Sequence, residues 1–74
     1  MPRKLRELRA DLRRAGFGID HQAGSHETWK HAHLPGVAVV MAGRDGSDAK
    51  PYQETQVRRA LAALRTAEEE RQEP

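Results

Sequence analysis

The stretch Gly24-Ser25-His26-Glu27-Thr28-Trp29-Lys30-His31 decides how the rest of the chain is read. A histidine stands just past a glycine turn, and the single tryptophan comes three residues later. Thr28 and Trp29 favour extended backbone. The pattern predicts a strand over residues 25–33 that opens from a tight turn at Ala23-Gly24. Upstream, Phe17 and Ile19 alternate with Gly18 and Asp20, which predicts a short strand over residues 17–22. Downstream, Leu34-Pro35-Gly36 is a turn signal, and residues 37–41 form the most strand-like run in the chain. Two short connections in succession make an antiparallel meander, because parallel neighbours need a long crossover.

Helices flank the three strands. Leu5, Leu8, Leu12 and Ala15 recur at spacings of three and four, which predicts an amphipathic helix over residues 3–15. Gly16 stands where a left-handed residue ends a helix, and Pro2 suits a first turn. Residues 42–52 are rich in Gly, Asp, Ser and Pro and read as a loop. A second helix starts near Gln53 or Thr55, carries Val57, Ala60, Leu61 and Leu64 on one face, and frays into Glu68-Glu69-Glu70. The order is α-β-β-β-α. Each helix is apolar along one stripe and the sheet needs one face covered. The expected fold is therefore α+β, two layers, with both helices on one face of a three-stranded antiparallel sheet. The domain is expected over residues 1–66, with 67–74 an acidic, frayed or disordered tail.

Strand alternation separates Ser25, Glu27, Trp29 and His31 from His26, Thr28, Lys30 and Ala32. Trp29 belongs in the core beside Val37, Val39 and Met41. His26 and Lys30 then share the open face, which forces Glu27 and His31 toward the sheet ends or edges.

With 36% hydrophobic and 32% charged residues, 74 residues make one domain with a thin core. The absence of cysteine excludes disulfides and thiolate metal sites and fits a reducing compartment. No apolar run approaches the roughly 20 residues that span a bilayer, and the charged N-terminus lacks the apolar segment of a secretory signal. A cytoplasmic protein with no membrane partner is expected. Arg3, Lys4, Arg6, Arg9, Arg13 and Arg14 crowd the first segment, and Glu68, Glu69, Glu70 and Glu73 the last. A basic front suggests an anionic ligand. Lys4, Arg6, Arg9 and Arg13, with Arg58, Arg59 and Arg65, are candidates to track a phosphate backbone.

Four histidines cluster at His21, His26, His31 and His33. His31 and His33, on alternate strand positions, can share a metal ion. No carboxylate–histidine motif accompanies them, and His26 points away from His31, so no metal or cofactor is expected. His26 supports other chemistry. Histidine titrates near neutral pH and can take or give a proton in a transition state. RNA carries its own nucleophile, the 2′-hydroxyl beside the phosphate. A metal-free ribonuclease therefore needs a proton carrier and cations for the charge that builds on phosphate. His26 can be the first and Lys30 the second, with Ser25 and the Gly24 backbone holding the phosphate. The competing reading is a non-catalytic module that binds duplex RNA by shape.

Several segments together carry a resemblance. They are Lys4-Leu5-Arg6-Glu7-Leu8, the Ala15-Gly16-Phe17 junction, Gly24-Ser25-His26 followed by Trp29 and Lys30-His31, and a last helix with Val57, Ala60 and Leu61. In this order and spacing the chain resembles the HicA toxins of bacterial type II toxin–antitoxin systems, over residues 3 to about 64. It departs from the pattern of many members at Asp48–Glu54, where they enter the last helix through a glycine-threonine-leucine turn. The resemblance implies a double-stranded-RNA-binding-domain-like fold and a metal-independent ribonuclease that cleaves mRNA and arrests growth. It implies that His26, the histidine of the triplet, is catalytic. The implied partner is a HicB-type antitoxin that covers the active site, and no DNA contact by the toxin itself is expected.

Overall fold

A computed structural model of the chain describes residues 2–72, with side chains through Arg71. The elements run α1 (Leu5–Ala15), β1 (Gly18–Ala23), β2 (His26–Lys30), β3 (Val39–Ala42) and α2 (Pro51–Gln72). The strands form one antiparallel sheet in the order β1-β2-β3. The α-β-β-β-α order and the meander are those expected from the sequence.

The leucine stripe explains α1. Leu5, Leu8 and Leu12 are buried. The helix ends at Gly16 in the left-handed region, φ +99. There the Gly16 N–H donates to Arg13 O at 3.0 Å and the Phe17 N–H to Leu12 O at 2.9 Å. These bonds satisfy carbonyls the helix would otherwise leave open, and they turn Phe17 back into the core. At the other end, Arg3 and Lys4 precede the helix. Lys4 has no side-chain acceptor, so its own N–H is capped by Glu7 Oε1 at 2.7 Å. The Leu5 and Arg6 N–H groups donate to Ser47 O at 2.9 Å and Asp45 O at 3.1 Å. The β3–α2 loop thus closes the N-terminus of α1.

The first turn falls one residue later than the sequence suggested. Ala23 pairs with His26, leaving Gly24 and Ser25 as the turn. Gly24 has φ +60, and among the described residues only glycines have positive φ. Glycine at the first central position is the type II′ arrangement. A turn at Ala23-Gly24 would have put alanine where glycine is required.

Trp29, Val39 and Met41 face the helices and are buried with Val57, Ala60 and Leu64 of α2. Val37 lies outside β3 and only packs against the edge of this cluster. β1 is exposed at every position, and Ile19 is 45% exposed although it pairs with buried Trp29. β1 is an edge strand, and its register slips between Ile19 and His21. A bulge of this kind re-aims the side chains that follow it along the strand.

Helix α2 begins two residues earlier than expected and runs farther. Pro51 is its first residue, where a missing N–H costs no hydrogen bond. The helix continues through Glu68-Glu69-Glu70 to Gln72, where a frayed tail was expected. Ala, Glu, Arg and Gln there all favour helix, and neither Gly nor Pro interrupts residues 52–73. Residues 73 and 74, the end of the expected tail, lie outside the described residues. Among the described residues no helix is long and apolar enough to cross a membrane.

Candidate functional site

His26 is the first residue of β2, flanked in register by Ala23 on β1 and Ala42 on β3. It is exposed, and among the described residues its ring makes no hydrogen bond. Beside it lies a groove of about 400 Å³, lined by Ala42, Ser47, Asp48, Lys50, Tyr52 and Gln53 among others. A larger groove of about 710 Å³ lies between α1 and the C-terminal half of α2, bordered by Asp11, Arg14, Leu61 and Arg65 and away from His26.

Gln53 holds the wall of the smaller groove. It is buried, and its Oε1 accepts the Lys50 N–H at 2.8 Å while its Nε2–H donates to Ala42 O at 3.1 Å. Ala42 is the residue directly opposite His26. One amide side chain therefore fixes the start of α2 to the strand position facing the histidine. Buried, with both its amide oxygen and its amide nitrogen hydrogen-bonded, it is costly to replace. Lys50, just before α2, and Tyr52, in its first turn, are exposed, so the start of the helix brings a cation and an aromatic ring to the same groove as His26. The sequence reading left Ser47, Lys50 and Tyr52 in a loop and gave Gln53 no role beyond a possible helix start. The signal that would have placed them is Pro51, a first-turn proline with Lys50 before it and a Gln two residues after.

The residues proposed from sequence are not all gathered here. Gly24 and Ser25 form the turn immediately before His26. Lys30 is on the same strand face but pairs with Gly18 at the far end of β2. Four residues of strand put it about 13 Å from His26, too far to share one phosphate. Its ammonium is 3.7 Å from Asp20 Oδ2. The Asp20 carboxyl is held below its usual range by the His21 hydrogen bond at 3.0 Å and then by the Lys30 charge. Lys4 is engaged with Asp48 at 2.6 Å, at the rim of the groove. Arg6 is exposed on α1. Arg13 lies 5.2 Å above the Trp29 ring, a cation–π contact that covers the core.

Arg9 corrects an expectation. It is not a surface cation: it is 5% exposed. Its Nε–H donates to Glu27 Oε1 at 3.0 Å, Nη1–H to Asp45 Oδ1 at 2.6 Å and Nη2–H to Gly43 O at 2.7 Å. Glu27 also accepts the Trp29 Nε1–H at 3.1 Å. This is how Glu27 sits on the core side of β2, the placement that alternation made awkward. The charges are consumed inside the protein and cannot meet a phosphate.

His31 is the second such residue. Its Nε2–H donates to Ala15 O at 3.0 Å, its Nδ1 accepts the His33 N–H at 2.9 Å, and its ring meets Phe17 edge-on at 5.1 Å. Both nitrogens are used, so no lone pair remains for an ion shared with His33. Among the described residues no three His, Asp or Glu side chains converge as a metal site requires. On α1, Asp11 is pulled below the usual carboxylate range by Arg3 at 2.6 Å, with Arg14 adding to it.

The α-β-β-β-α order and the three-stranded meander make a small two-layer α+β domain with a double-stranded-RNA-binding-domain-like fold, and its exposed histidine opens the central strand. The family model described as the HicA toxin of bacterial toxin–antitoxin systems matches residues 5–67. The chain belongs to the HicA toxin family, and so to the toxin side of a toxin–antitoxin pair. Neither curated proteins nor solved structures gave a match.

Proposed function

We propose that the chain is a metal-independent endoribonuclease that cleaves mRNA in the cytoplasm and arrests growth, and that a HicB-type antitoxin restrains it by covering His26. The observation that carries this reading is an exposed imidazole with no hydrogen-bond partner among the described residues, beside a groove that also holds the Lys50 ammonium. An imidazole that supported the fold would be tied down as His31 is. In the proposed reaction the 2′-oxygen attacks the adjacent phosphorus, and the bond from phosphorus to the 5′-oxygen breaks. A proton leaves the 2′-hydroxyl and one is delivered to the departing 5′-oxygen; His26 moves one of these two protons. The products are a 2′,3′-cyclic phosphate and a 5′-hydroxyl. Lys50 steadies the charge that grows on the phosphate oxygens. Gly24 and Ser25 border the histidine, and Lys30 and Arg6 are exposed cations that meet more distant phosphates.

The test is cleavage of RNA by the purified chain in EDTA, with His26→Ala beside it. Cleavage by the wild type and none by the variant, at unchanged circular dichroism, is the expected result. Equal cleavage by both removes His26 from the mechanism. RNA binding with no cleavage by either makes the chain a non-catalytic RNA-binding module. Activity lost in EDTA and restored by one ion makes the reaction metal-dependent.

A further inference from the structure

We propose that Tyr52 is a base-stacking platform in a one-nucleotide subsite beside His26, with Lys50 on that nucleotide's phosphate, so that the chain takes unpaired rather than duplex RNA. The proposal rests on the ribonuclease reading for the identity of its ligand and adds the residue that selects it.

Tyr52 is 57% exposed, more than Ile19 at 45% or Val40 at 40%, the other large apolar side chains left in water. Its backbone is held in place. It lies in the first turn of α2, between Pro51, whose φ is fixed, and Gln53, which is bonded to both Lys50 and Ala42. An exposed aromatic ring carried on anchored backbone at the lip of a polar groove offers a face on which any base can stack. The groove, about 400 Å³, falls near the lower end of the range of roughly 300–1,000 Å³ typical of small-ligand sites. That suits one nucleotide.

Charge in the groove agrees. Its one acidic side chain, Asp48, is engaged by Lys4 at 2.6 Å. Among the described residues Lys50 makes no ion pair and stays available to a phosphate. A duplex cannot use this arrangement. Its bases already stack on one another, and a shape-reading surface needs cations spread along two strands. Arg9, which would have extended such a surface along α1, is buried.

The experiment measures binding of a fluorescent, unstructured RNA oligonucleotide, and of the same strand annealed to its complement, to the full-length His26→Ala chain. Tyr52→Ala, Tyr52→Phe and Lys50→Ala are placed in that background. Stacking of one base predicts that Tyr52→Ala weakens single-strand binding about tenfold and that Tyr52→Phe restores it. Lys50→Ala is expected to lower the salt slope by about 0.7, the value for one phosphate on a single strand. The duplex is expected to bind more weakly and to ignore Tyr52. Equal single-strand binding by Tyr52→Ala, duplex binding as tight as single-strand binding, or no RNA binding at all overturns the proposal. Because binding is read without cleavage, the two readings fail separately. Tyr52-dependent binding by a chain that never cleaves RNA keeps the subsite and ends the ribonuclease. Cleavage indifferent to Tyr52 does the reverse.

Discussion

Replacing Arg9 with alanine is predicted to damage the fold. The magnitude follows from its three partners. Asp45 has a side chain 70% exposed, so that ion pair contributes about 0–1 kcal/mol. The Gly43 carbonyl loses one charge-assisted donor. Glu27 decides the outcome: its side chain is 17% exposed, and without Arg9 its carboxylate keeps only the Trp29 Nε1–H at 3.1 Å. Stranding a shielded carboxylate in this way costs roughly 3–5 kcal/mol. A 74-residue domain has a total stability of about 4–11 kcal/mol, so Arg9→Ala is expected to leave the domain near its unfolding threshold. Urea unfolding followed by Trp29 fluorescence reads this directly, since that side chain is 1% exposed when folded. With a slope of about 1 kcal/mol per molar urea, the midpoint drops by about 3–5 M. Arg6→Ala, which removes an exposed charge from the same helix, should change stability by no more than about 0.5 kcal/mol. Glu27→Gln in the Arg9→Ala background should recover part of the loss, because the stranded charge is gone. An Arg9→Ala midpoint equal to wild type, with weaker retention on RNA, would refute the reasoning and return Arg9 to the phosphate-binding surface.

Three other perturbations test separate parts of the structure. Gly16→Ala puts a Cβ 2.8 Å from His31 Nε2 at a residue with φ +99, so thermal unfolding should show a loss of about 1–3 kcal/mol and a broken Ala15–His31 bond. Gln53→Leu leaves the Lys50 N–H and the Ala42 carbonyl without a partner. It should cost about 1–3 kcal/mol and raise amide exchange at Lys50. The Asp11 carboxyl is depressed in the folded state, so its contribution is present above the unfolded pKa of about 3.9 and is lost as pH falls through the lower folded value. Asp11→Asn should therefore be less stable than wild type at pH 7 by up to about 1 kcal/mol, since Arg3 and Arg14 are partly or largely exposed, and the gap should close in strong acid.

What the sequence discloses depends on how far each residue's partners lie along the chain. The α1 stripe and the burial of Trp29 with Val39 and Met41 follow from local period and need no knowledge of the rest. Arg9 is the opposite case. Its partners lie 18, 34 and 36 residues away, and on a helix rich in arginine nothing local separates the buried one from its solvated neighbours. Alternation marked β1 as a strand but not how exposed it is: Ile19 stands opposite buried Trp29 and is still 45% exposed, because β1 is the edge strand. The histidine of the candidate site was legible from its position after a glycine turn. Its companions were not. Lys30 matched on parity but stands at the wrong end of the strand, while Lys50 and Tyr52 arrive through a loop whose path is set by bonds from Leu5 and Arg6 to Ser47 and Asp45. The acidic run was read as a frayed tail from its charge, yet its residues are individually strong helix formers.

The central claim is that His26 makes this HicA-family chain a toxin that destroys mRNA. The most direct measurement induces the wild-type chain and His26→Ala side by side, follows growth, and resolves total RNA from both cultures. Arrest with loss of full-length mRNA in the wild type alone is the predicted result. Arrest and mRNA loss in both, or in neither with both proteins folded and abundant, would contradict it.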